Sequence, residues 1–94
     1  MSYRPTTDEI RREYAELEKA KALAHTEATQ ALEQYQVAAI NPRLLIRTYD
    51  GQITNETANA LLHAHVVAND KRNETERAMT KLRKQAWKWY RVVL

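Results

Sequence analysis

Two helical stripes flank the only glycine of this chain, and they constrain its fold more than any other feature. On the N-terminal side Ile10, Tyr14, Leu17, Lys21, Ala24, Ala28, Ala31, Tyr35 and Ala38 recur at alternating steps of four and three. On the C-terminal side Ala58, Leu61, His65, Ala68, Arg72, Thr75, Met79, Leu82, Ala86, Trp89 and Val93 do the same. That spacing keeps one face of a helix turned toward a partner along its whole length. The sequence therefore predicts an all-α fold, an antiparallel helical hairpin with coiled-coil-like spacing. Its helices span about residues 7–40 and 55–92, joined by a connector over 41–54.

Local signals set the boundaries. Met1 to Pro5 reads as an extended lead-in, and Thr6-Thr7-Asp8-Glu9 is a capping-box pattern. Asn41-Pro42 ends the first helix, because proline disfavours helical geometry in the residue before it. The connector holds Leu44, Leu45, Ile46, Tyr49 and Ile53, so it is expected to fold back over the tip of the hairpin. Two readings of it compete. In the favoured one, Asn41 caps a short third helix opened by Pro42 and ended by Gly51 in a left-handed conformation. In the other, Asp50-Gly51 is a type I′ turn between two short strands. Thr54 is the expected cap of the second helix, with Ile53 stapled against Ala58. Asn69 to Asn73 is its weakest stretch, because these residues favour caps and turns.

With 94 residues there is room for one domain, and one this small buries a limited core. The absence of cysteine leaves no disulfide framework. No signal-peptide core and no membrane-length apolar run is present, so a cytoplasmic protein is expected. The net charge of +3 is unevenly spread: −2 over residues 1–40, −1 over 41–70 and +6 over 71–94. An antiparallel hairpin sets the acidic start of the first helix beside the basic end of the second. Exposed pairs of that kind contribute only about 0–1 kcal/mol each, so they select orientation more than they stabilise. Lys21 sits on the seam, either snorkelling its ammonium into water or making a polar contact that sets the register.

Leu23, Leu32, Leu62 and Val66 do not all fit on the seam of two helices, and Trp87 points to a flank. These five are the expected protein-interaction residues, because a lone hairpin leaves them uncovered. A homodimer resembling a four-helix bundle is the simplest closed solution, and a different protein is the other candidate partner. A second feature is a cationic stripe of Arg77, Lys81, Lys84, Lys88 and Arg91, opposite the inward face of the second helix. It is the candidate nucleic-acid-binding surface, tracking phosphates with Trp87 beside it for stacking. A membrane-surface helix and a merely solvated face are the other readings of the stripe, and a membrane is the less expected partner.

Catalytic chemistry finds no support. There is no glycine-rich phosphate loop, and Ser2 is the only serine. His63 and His65, two residues apart, lie on different helix faces, whereas a helical metal pair needs a spacing of three or four. His65 on the seam is expected to be a hydrogen-bonded core residue. No enzymatic activity, cofactor, metal or small-molecule substrate is expected.

Overall fold

The computed structural model describes residues 3–94, so Met1 and Ser2 of the lead-in lie outside the described residues. Helix α1 (Thr7–Ala39) and helix α2 (Glu56–Tyr90) pack antiparallel along their whole length. Between them come a 3-10 turn (Pro42–Leu44) and strands β1 (Ile46–Arg47) and β2 (Ile53–Thr54). The result is a rod of 62 × 25 × 14 Å, a single layer of two helices.

The start of α1 follows the capping-box expectation. Thr6 Oγ accepts from the Glu9 backbone N–H, and the Glu9 carboxylate accepts from the Thr6 N–H. The cap of α2 is Asn55 instead of Thr54: its Oδ1 accepts from the Ala58 N–H at 2.9 Å. Its amide nitrogen donates to the Ala38 carbonyl at 2.9 Å. One side chain thus satisfies an orphan donor of α2 and an orphan acceptor of α1, closing the loop end of the hairpin. The staple is not formed either, because Ile53 belongs to β2 and is exposed. Helix α2 runs unbroken through Asn69–Asn73, as its continuous spacing implies, since seam contacts on both sides outweigh the weak local propensity there.

The connector combines the two competing readings. Asn41 caps and Pro42 opens the 3-10 turn, as the helical reading requires, but that turn stops at Leu44. Gly51 then takes φ +85° in a tight loop, not at a helix end. Ile46 pairs with Thr54 and Arg47 with Ile53. The loop is not type I′, because Asp50 does not share the positive φ that such a turn demands at both central residues. Instead the Gly51 N–H donates to the Thr48 carbonyl and the Thr48 N–H to the Gln52 carbonyl, making a three-residue connection.

At the far end α2 stops at Tyr90 because Arg91 adopts a left-handed conformation, φ 54°. The Val92 N–H then reaches back to the Ala86 carbonyl. This reversal corrects the expected seam. Val93 is thrown outward and is exposed, whereas Val92 and Leu94 pack against the cluster of Ile10, Leu82 and Ala86. Tyr14, Leu17, Trp89 and Tyr90 complete that cluster, and the Tyr90 hydroxyl donates to the Pro5 carbonyl at 2.6 Å.

Candidate interaction surface

The buried positions described along the loop-half seam are all alanine. Ala24, Ala28, Ala31, Ala38, Ala58 and Ala68 are buried there, and Ile10, at the other end, is the largest side chain that is fully buried. Small residues let two helices approach closely, so bulkier neighbours are pushed to the flanks. Val37, Ile40, Leu62, Val66 and Val67 are accordingly exposed, together with Leu45, Ile46, Tyr49 and Ile53 on the connector. A monomer rarely exposes so dense a set of large apolar side chains.

The flanks can be told apart. Tyr14, Glu18, Lys21 and His25 of α1 and Arg72, Met79 and Arg83 of α2 line one open groove of about 570 Å³. Along α2, Leu62, Val66, Asn69, Asn73, Glu76, Thr80, Arg83 and Trp87 recur at steps of four and three, so they share that flank. On α1, Leu32 lies two turns from His25 on the same side. Four of the five expected interaction residues therefore share the groove flank. Leu62 is 40% exposed, Val66 47% and Trp87 51%, whereas Leu32 is half-buried. Leu23, 57% exposed, is separated from them: about 200° of helical turn from Lys21 and His25 sets it on the other flank.

A polar network lines the groove. Lys21 Nζ donates to Glu76 Oε2 at 2.6 Å, and Arg83 donates to Glu76 Oε1 at 3.2 Å and to the Tyr14 hydroxyl at 2.9 Å. Lys21 is thus a cross-helix contact that sets register rather than a free snorkelling cation. The Lys21 hydrogen bond, followed by that of Arg83, holds the Glu76 carboxyl below its ordinary range. The Tyr14 hydroxyl, then Glu76, raises the Arg83 guanidinium above its own. The two seam-side histidines have separate partners. His65 Nδ1 meets the Ala28 carbonyl at 2.8 Å, which can only accept, so Nδ1 carries the proton. His25 Nδ1 accepts from Arg72 at 3.1 Å, and Arg72 also donates to Asn69 at 2.6 Å. Among the described residues no three His, Asp or Glu side chains converge as a metal site.

Arg77, Lys81, Lys84 and Lys88 are exposed on the outer face of α2, and Arg91, also exposed, is the left-handed residue just past its end. Among the described residues none of the five is ion-paired. The Arg91 guanidinium lies 5.2 Å over the Trp87 ring. The expected pairing of the acidic α1 start with this stripe is not made through contacts. Among the described residues the cross-helix ion pair is Lys21–Glu76, the Arg83–Glu76 pair lies within α2, and Glu9 serves Tyr3 and the cap instead.

Sequence reasoning placed Lys21 and Arg72 on the seam as register-setting residues but missed Glu76, Arg83 and Asn69 as their neighbours, because spacing shows which face a residue occupies but not what stands opposite. Asn69, Arg72, Glu76 and Arg83 fall at seam-edge positions, and that periodic placement was the only signal available. Among the described residues no helix is long and apolar enough to cross a membrane. Comparison of the chain with protein-family models, curated proteins and solved structures gave no match.

Proposed function

We propose that this chain is a small, non-enzymatic interaction module that self-associates through the apolar flanks of its loop half. One observation carries the reading. The loop half keeps alanine inside and Leu62, Val66, Val67, Val37 and Ile40 outside, the reverse of a self-sufficient core. A second helical layer on the groove flank would bury Leu62 and Val66, and two hairpins making a four-helix bundle supply it. Sedimentation equilibrium is expected to give twice the chain mass at micromolar concentration. Leu62→Lys with Val66→Lys is expected to return the mass to that of one chain with helicity kept, since both side chains are exposed. A wild-type mass of one chain up to millimolar concentration would remove the proposal.

The unpaired stripe favours a second reading, a nucleic-acid-binding accessory role. Arg77 and Arg91 are about 21 Å apart along α2, long enough to track several phosphates. Binding through five cations is expected to weaken steeply with salt. If Lys81, Lys84 and Lys88 changed together to Glu leave duplex and single-strand binding unaltered, this reading fails.

A further inference from the structure

We infer that the second copy lies antiparallel on the groove flank, loop half over loop half, with its connector tip seated in the groove lined by His25, Arg72 and Met79. The inference rests on the self-association proposed above and adds its geometry. The bonded pairs Ala28–His65, His25–Arg72 and Lys21–Glu76 fix the register of α1 against α2. That register sets Leu32 level with the turn from Leu62 to Val66. A two-fold axis through this level brings Leu32 onto its own copy, and Leu62 onto the partner's Val66.

The reach of the tip agrees with this axis. Helix α2 has 35 residues, about 52 Å at the ordinary rise of an α-helix. The rod is 62 Å long. At the other end the chain does not add much length, because Val92 and Leu94 fold back and Pro5 is tied level with Tyr90. The connector therefore extends about 10 Å beyond the start of α2. Residue 64 lies about 12 Å inside that start, so the tip stands about 22 Å from the axis. On the other copy, 22 Å is about 15 residues past residue 64, which is the level of Met79 in the groove.

Charge points the same way. Residues 25–71 carry three basic and five acidic side chains, and the rest of the chain carries twelve basic and seven acidic. A parallel dimer would set two cationic ends side by side. The antiparallel overlap holds them at opposite ends, and only the connector tip reaches the basic half of the partner. Within the groove, among the described residues, Arg72 bonds to His25 and Asn69, neither a carboxylate. The tip carries Asp50 and a fully exposed Tyr49 beside the exposed Arg47, and the carboxylate and the aromatic ring each suit the Arg72 guanidinium.

The chain has no native cysteine, so introduced ones report alone. Spin labels on Tyr49→Cys are expected about 45 Å apart in the dimer, twice the reach of the tip, whereas a parallel dimer would hold them within about 20 Å. Tyr49→Cys combined with Ala22→Cys, on the groove wall, is expected to give a disulfide-linked dimer on mild oxidation, with neither single variant cross-linking fully. A two-chain mass with labels close together, or rapid cross-linking of Tyr49→Cys alone, would overturn the overlap and leave self-association standing. A one-chain mass would overturn both.

Discussion

The two halves of this rod are built by opposite rules. At the terminal half large side chains are inside: Ile10, Leu82 and Ala86 are buried under Tyr14, Leu17, Trp89, Tyr90, Val92 and Leu94, and charges cover the outside. At the loop half alanine is inside and the large apolar residues are outside. The terminal half buries its large side chains within one chain, because the returning tail supplies a third wall to its cluster. The loop half has only two helices at close range. Its stability comes from the alanine seam, the Asn55 clasp and the small strand pair, and its apolar surface is left for a partner.

Truncating one leucine in each half is the strongest test of that contrast. Leu82→Ala removes a buried side chain and is expected to cost about 2–5 kcal/mol in denaturant unfolding. Leu62→Ala is expected to cost less than about 0.5 kcal/mol when measured on dilute, dissociated protein, as exposed sites do. At high concentration it should weaken association instead. Equal losses at the two sites, independent of concentration, would erase the distinction. Ala28→Leu reverses the test by adding bulk where the helices are closest. Overpacking there is expected to cost about 1–3 kcal/mol and to lengthen the His65–Ala28 hydrogen bond, which the histidine ring NMR signals would report. Next comes the clasp: Asn55→Ala is expected to lower stability by about 1–2 kcal/mol, with amide exchange speeding up at the loop half before the terminal half. Exchange rising equally in both halves would mean that they unfold as one unit.

The smallest effect concerns acid, at the boundary between the halves. Lys21 and Arg83 hold the folded-state Glu76 carboxyl below its ordinary value of 4.5. A depressed carboxyl stabilises the fold fully above its unfolded value, and the contribution is lost as pH falls through the folded value. Wild-type melting temperature should therefore drop between pH 6 and pH 3 slightly more than that of Glu76→Gln. Parallel melting curves for the two proteins would show that the cross-helix bridge carries no pH-dependent stability.

Reading the chain as a hairpin worked because helix periodicity is local and repeats over nine or more positions on each side of Gly51. The seam from Ile10 to Ala38 and from Ala58 to Trp89 lies inward as the spacing implies. The connector was harder. A 3-10 turn and a two-strand ladder are both marginal alone, and only closure of the hairpin lets one short segment hold both. Asn55 in place of Thr54 was a near miss, since either side chain can cap a helix. The choice fell to Asn55 because its amide also reaches Ala38.

By itself the sequence determined that there are two helices, which face of each turns inward, and that the cations gather on the outer face of α2. Those features follow from 3.6 residues per turn and from side-chain chemistry, neither of which needs a partner in view. Only the tertiary structure decided the register, the flank shared by Leu32, Leu62, Val66 and Trp87, and the Lys21–Glu76–Arg83 bridge. It also decided the return of Val92 and Leu94 onto Ile10. The register, the Lys21–Glu76 bond and the returning tail depend on atoms more than 35 residues apart along the chain meeting in space, and periodicity carries no information across that distance.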